Sequence, residues 1–207
     1  MQKVIDGLKY SLYLIFHPFK AFWNLKHEKK GNIGSASVII FFVFVTLVVK
    51  RQFSGFIFNH NKIEELNIFV MLASVVLPFI LWGVSNWCIT TLVDGEGTFM
   101  DIIISSAYAL MPFVLIQLPL SILSNFISLD ESGYYTFLAV ISIVWSVFLM
   151  IVGIMTVHQF TMAKTIGSII IAVIGMIIIV FLFFLLFVLI QQFINFFLLI
   201  EKELAMR

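Results

Sequence analysis

Residues 166–199 read IGSIIIAVIGMIIIVFLFFLLFVLIQQFINFFLL, a run of 34 residues without a single Asp, Glu, Lys or Arg. A helix that crosses a bilayer needs about 20 mostly apolar residues, so this run is long enough for one span. As a helix it would extend about 51 Å, well beyond a hydrocarbon core of about 30 Å. We therefore expect its last turns, from Gln191 onward, to emerge toward water or to pack on other helices.

Four more uncharged stretches precede this run, and each can supply one span. Ionic side chains are costly in lipid, so their positions mark where spans end. The alternation typical of barrel strands is absent, and a spanning backbone must satisfy its own hydrogen bonds, which favours helices. The sequence predicts an all-α, polytopic membrane protein with five transmembrane helices: Ile33–Val49, Leu66–Val93, Ile102–Ile127, Tyr134–Val157 and Ile166–Leu199.

The composition excludes several other classes of protein. Apolar residues make up 62% of the 207 residues and charged residues only 11%, which excludes a soluble globular enzyme and a disordered chain. The formal net charge of +1 argues against binding to nucleic acid, which requires an excess of basic residues. Membrane lipid is therefore an expected partner, and nucleic acid is not.

The distribution of Lys and Arg predicts the topology. Residues 1–32 carry six Lys, and an N-terminus on the inside places seven of the twelve basic residues on that side. By the positive-inside rule we expect a multi-pass protein with a cytoplasmic N-terminus and an external C-terminus. The chain then divides into a cytoplasmic segment 1–32, a five-helix domain 33–199 and a short tail 200–207.

The N-terminal segment has the pattern of an interfacial amphipathic helix. Gln2, Asp6, Lys9 and Tyr13 fall on one face of a helical wheel, together with His17 and Lys20. Pro18 is expected to begin a second helical piece at its first position. The predicted apolar face, which would enter the lipid, holds Val4, Ile5, Leu8, Leu12, Ile15, Phe16 and Phe19.

Polar and helix-breaking residues inside the spans are few. Pro112 and Pro119 each remove a backbone donor from the third span, so we expect a kink or a break there. Gln117 lies between them, and this arrangement supports a path for a neutral solute as one alternative function. Asn86 and Tyr108 are the other two candidate positions for a hinge or a polar site inside the spans.

A short acidic turn separates the second and third spans. It contains Asp94, Gly95, Glu96, Gly97, Thr98 and Phe99, and it ends at Asp101. Thr98 is expected to cap the third span, with Asp101 at the capping-box position. The turn engages a basic partner surface or a divalent cation, which prefers oxygen ligands, or it is simply a capped connection between two helices. With His17 and Pro18 it forms the candidate partner surface.

Motifs for catalysis, cofactors or metals are not evident. The sequence contains no Walker-type loop, nucleophile elbow or dinucleotide loop, and its four His residues have no metal-ligand spacing. Cys88, the only cysteine, is expected to be a buried and inert thiol. We therefore predict no catalytic residue, no cofactor and no metal site.

Three segments together resemble a known family. Residues 17–22 (HPFKAF) precede the first span, residues 94–99 (DGEGTF) precede the third, and residues 107–112 (AYALMP) lie within the third. In order, spacing and span number the chain resembles the Yip family of Rab-interacting membrane proteins and their bacterial relatives. The resemblance implies five helices, a cytoplasmic N-terminus and no enzymatic activity.

The resemblance also frames the functional expectation. Eukaryotic members bind prenylated small GTPases through a longer N-terminal region. Only 32 residues precede the first predicted span here, so a small GTPase is not expected as a partner of this chain. The chain is more similar to the bacterial branch, whose members can accompany ABC transport systems, including carbohydrate ones. We expect an accessory or scaffold protein of the bacterial cytoplasmic cell membrane, with a neutral-solute channel or permease component and a lipid-interacting, membrane-shaping protein as alternatives.

Overall fold

The computed structural model describes residues 2–55, 58 and 67–205. Within this part of the chain all regular structure is helical, with a single 3-10 turn at Leu129–Glu131. The α-helices are α1 (Gln2–Phe16), α2 (Pro18–His27), α3 (Ile33–Phe53), α4 (Ile68–Leu92), α5 (Phe99–Ala109), α6 (Met111–Leu123), α7 (Ser132–His158) and α8 (Met162–Ala205).

Five helical segments of the described chain are long and apolar enough to cross a membrane, which confirms the predicted fold class. They are α3, α4, α5 with α6, the 3-10 turn with α7, and α8. The third segment is broken at Leu110, two residues before Pro112, while α6 continues through Pro119. Leu66, where the second span was predicted to begin, lies outside the described residues, as do most of loop 50–65 and the last two residues of the tail.

Polar side chains mark where the spanning helices begin. The Asn32 side chain accepts a hydrogen bond from the Ser35 backbone N–H at 2.7 Å, and Asn67 caps the first N–H groups of α4 in the same way. Capping satisfies donors that have no partner inside the helix. The helix boundaries therefore follow local chemistry as well as hydropathy.

The bundle has two ends. α2, the α4–α5 loop and the α7–α8 turn lie at one end, called here the loop end. At the opposite end the Asn125 side chain donates to the Phe53 carbonyl at 2.6 Å, and the Gly55 N–H donates to Ser124 Oγ at 2.8 Å. These bonds join the end of α3 to the end of α6.

The main core is formed around α2. Phe22 is fully buried, and a Cβ added at Gly153 of α7 would lie 3.0 Å from its ring. The two short N-terminal helices are tied together by the Tyr10 hydroxyl, which donates to the Ala21 carbonyl at 3.0 Å. Burial raises the pKa of Tyr10, so this hydroxyl stays protonated as a donor. α2 is thus an integral part of the bundle.

α1 forms where it was predicted, but besides the predicted polar and apolar faces it has a third face, which packs against the bundle. Gly7, Ser11 and Leu14 are buried against the bundle, a set that the wheel assigned to neither face. Large residues of the predicted apolar face stay exposed, among them Phe16 at 79%. The small buried residues allow α1 to approach α3 and α5 closely. The exposed apolar side chains remain free to contact lipid.

α8 is one continuous helix of 44 residues. Its first part packs on α4, where the Ser85 hydroxyl donates to the Ala172 carbonyl at 2.5 Å. From Val180 to Lys202 every side chain is exposed, so the turns from Gln191 onward do not pack on other helices of the described chain, which was one of the two outcomes expected for them. The helix nevertheless continues without a break.

Gly7 provides a test of the α1 packing. A Cβ added at Gly7 would collide with the Ser35 hydroxyl and lie 2.8 Å from the Tyr108 hydroxyl oxygen. We expect Gly7→Ala to lower the free energy of unfolding by about 1–3 kcal/mol, the usual cost of overpacking. Thermal unfolding in mild detergent measures the effect.

Gly167→Ala is the matched control, because a Cβ at Gly167 meets nothing within 4 Å. Alanine is a better helix former than glycine, so this variant should be unchanged or stabilised by up to about 1 kcal/mol. Equal melting temperatures for both variants would show that α1 does not dock as described.

Candidate functional site

The connection between α4 and α5 has a defined conformation. Asp94 adopts a left-handed backbone with φ 55°, and the Gly95 N–H then donates to the Thr90 carbonyl at 2.7 Å. The Thr98 N–H donates to Asp101 Oδ2 at 3.0 Å while Thr98 Oγ1 accepts from the Asp101 N–H. The predicted capping box is therefore confirmed. Residues 94–98, called here the glycine loop, are held at both ends.

Both glycines of the loop lie against His158, the last residue of α7. A Cβ at Gly95 would be 2.5 Å from His158 Nδ1, and one at Gly97 would be 2.7 Å from His158 Cε1. The Gly97 N–H also donates to Nδ1 at 3.3 Å. Glycine is required here because any side chain would separate the loop from the imidazole.

His158 is buried, with 1% of its surface exposed. Its ring stacks on Phe160, with the centroids 5.3 Å apart, and the Lys164 ammonium lies 4.2 Å from the centroid of Phe160. Since Nδ1 is an acceptor, the neutral ring carries its proton on Nε2. Nε2 has no hydrogen-bond partner within the described residues. The imidazole therefore packs directly against the backbone of the glycine loop.

One ion pair connects the loop to the N-terminal segment. Lys26 Nζ of α2 lies 3.0 Å from Glu96 Oε2. The Lys26 side chain is 13% exposed and that of Glu96 is 63% exposed, so water weakens the pair to at most about 1 kcal/mol. Its value is geometric, because it joins the glycine loop to α2 of the N-terminal segment.

The remaining members of the predicted surface lie elsewhere or face outward. Asp94 and Thr98 are exposed, and Phe99 contacts the Trp87 ring edge-on at 6.1 Å. His17 precedes α2 and stacks on Tyr13 at 4.7 Å, and Pro18 occupies the first position of α2, as predicted. They lie at the opposite end of α2 from Lys26.

The intramembrane polar residues Gln117 and Tyr108 contact other helices of the bundle. Gln117 is buried, donates to Ser142 Oγ at 2.8 Å and accepts from Lys50 Nζ at 3.2 Å. It therefore joins α3, α6 and α7. Tyr108 is fully buried beneath Gly7 of α1.

Asn86 and Cys88 lie on different sides of α4. The helix is continuous at both residues, so Asn86 does not form a hinge. The Asn86 side chain is buried and finds no hydrogen-bond partner among the described residues. Cys88 is exposed on the outside of the bundle, so the expectation of a buried thiol was wrong. An apolar stretch does not reveal which side of its helix faces neighbouring helices.

His158 and Lys26 were missed by the sequence interpretation. Both are single residues in unremarkable contexts, and only folding brings them to the glycine loop. The position of His158, a lone titratable residue at the end of an uncharged span, is the one signal that could have identified it. No group of three or more His, Cys, Asp or Glu that could hold a metal lies within the part of the chain described.

Double substitution tests the contact between the loop and His158. We expect Gly97→Ala to speed amide hydrogen exchange of residues 94–98 about fivefold, the effect of losing one hydrogen bond. A Cβ at Gly97 meets both Val157 and His158, and a His158→Ala background removes the second of these contacts, so the same change should have a smaller effect there. Hydrogen exchange followed by mass spectrometry measures both.

Gly133→Ala serves as the control, since a Cβ there meets nothing within 4 Å. It should leave exchange in the loop unchanged. Strictly additive effects of the Gly97 and His158 substitutions would contradict direct contact.

Comparison with protein families gives one match that covers most of the chain. The family model described as the Yip1 domain matches residues 12–197. This range includes α2, the glycine loop, His158 and nearly all of the five spans. Comparison with curated proteins and with solved structures found no match.

Proposed function

The chain belongs to the Yip1 domain family, and from that membership we propose that it is a non-enzymatic accessory or scaffold protein of the cytoplasmic membrane. The loop end faces the cytoplasm and binds a second membrane complex. An ABC transport system, such as one for carbohydrates, is the partner we propose. The ordered glycine loop, joined to α2 through Lys26 and Glu96, is the observation that carries this proposal.

The geometry of the glycine loop supports a binding role. Its backbone is held by Thr90, His158 and the capping box, so little conformational entropy is lost when a partner binds. Asp94 and Glu96 stand exposed on this ordered backbone. Two acidic side chains at the membrane face suit a basic surface on the partner.

The contacts of Gln117 do not favour the alternative of a neutral-solute path. Its amide is engaged by Lys50, Ser142 and the Ala139 carbonyl. A polar side chain that guides a solute needs hydrogen-bonding capacity left over. We therefore assign Gln117 a role in holding three helices together.

Cysteine labelling tests the proposed orientation. In a Cys88→Ser background, Asp94→Cys and Asp130→Cys place one thiol at each end of the bundle. With a membrane-impermeant maleimide, Asp130→Cys should react in intact cells and Asp94→Cys only after permeabilisation. The opposite pattern would place the loop end outside.

Charge reversal tests the proposed interaction. The tagged full chain is purified from its native membranes in mild detergent, and co-purifying proteins are identified by mass spectrometry. We expect a reproducible membrane complex with the unmodified chain and at least about tenfold less of it with Asp94→Lys and Glu96→Lys combined, since like charges now face each other.

Asp130→Lys is the matched control, because Asp130 is an exposed acid at the other end of the bundle. It should leave recovery of the complex unchanged. Recovery of the chain alone in every preparation, or equal losses in both variants, would contradict the proposal.

A further inference from the structure

A groove of about 420 Å³ opens between α1, α3 and α6. This volume falls within the range of about 300–1,000 Å³ typical of small-molecule sites. Its walls are apolar except for one residue, Lys9. The lining residues are Ile5, Leu8, Lys9 and Leu12 of α1, Phe42 of α3, and Met111, Val114, Leu115, Leu118 and Pro119 of α6.

The groove follows α6 into the spanning region. From residue 111 to residue 119 a helix advances about 12 Å, so the groove is elongated along a membrane-crossing element. Ile5, Leu12 and Leu115, which border it, are exposed large apolar side chains. In a membrane these residues meet lipid tails, so the groove is open to the hydrocarbon.

Lys9 is the one charged residue that lines the apolar groove. At 100° per residue, Lys9 lies at the boundary between the exposed apolar face of α1 and its polar face. Lys9 lines the groove, is exposed and forms no ion pair among the described residues. A lysine so placed keeps its stem in apolar surroundings and its ammonium in the polar layer.

We propose that this groove binds one anionic phospholipid, with an acyl chain between α1 and α6 and the phosphate beside the Lys9 ammonium. An elongated apolar groove with a single lysine among its lining residues is complementary to an amphiphile with one anionic head. Residues 1–32 carry six Lys against one Asp and one Glu, so the surrounding field also favours an anionic lipid. The inference is independent of the proposed protein partner.

Native mass spectrometry of the full chain in mild detergent tests this site. Phosphatidylglycerol and phosphatidylcholine with identical acyl chains are added separately, and retained lipid is counted. The unmodified chain should retain one phosphatidylglycerol more strongly than phosphatidylcholine. Lys9→Gln should weaken retention of phosphatidylglycerol about fivefold and leave phosphatidylcholine unchanged.

Two controls separate this site from general lipid adhesion. Lys20→Gln removes another exposed lysine of the N-terminal segment, one that does not line the groove, and should change neither lipid. Leu115→Trp should fill the groove and reduce retention of both lipids, whereas Val144→Trp on the exposed side of α7 should reduce neither. Thermal unfolding verifies that each variant is folded.

Three results would overturn the proposal. The first is equal retention of the two lipids by the unmodified chain, and the second is an equal loss of phosphatidylglycerol in Lys9→Gln and Lys20→Gln. The third is cross-linking of a protein segment into the groove in native membranes, with no lipid retained.

Discussion

The structure depends on one constraint, that polar groups inside a bilayer are satisfied within the protein, to which the Asn86 side chain is an exception among the described residues. Buried polar residues in the spans are mostly Ser and Thr, whose hydroxyls donate to a carbonyl one turn earlier, as Thr46 does to Phe42 and Thr90 to Asn86. Such side chains are small and satisfied within their own helix. Neighbouring helices can therefore approach closely, and van der Waals contact replaces the hydrophobic drive that lipid cannot supply.

The two N-terminal helices also pack closely on the bundle. α2 contributes Phe22 to the main core, and α1 docks through Gly7, Ser11 and Leu14. A segment that looks like a surface anchor in sequence is therefore part of the bundle on one side and open to lipid on another. The glycine loop then joins α2 at the loop end through the Lys26–Glu96 ion pair. Packing, loop conformation and the candidate surface are thus physically coupled.

Much of the fold could be predicted because exclusion of charge from lipid is strong and local. The five spans, the break near Pro112 and the Thr98 cap all follow from residues close in sequence. Helix facing could not be predicted, since lipid and protein neighbours are equally apolar and hydropathy does not distinguish them. This explains the errors at α1 and Cys88. His158 and Lys26 were missed because their roles depend on contacts across 61 and 70 positions of the chain.

The length of α8 has a consequence for the membrane itself. Its uncharged run, residues 166–199, contains 34 residues, which corresponds to about 51 Å of helix. Tilting by as much as about 40° cannot fit this rod within a hydrocarbon layer about 30 Å thick, so hydrophobic mismatch remains. The surrounding lipids must thicken, bend or rearrange to cover it, at an elastic cost that falls as the bilayer becomes thicker.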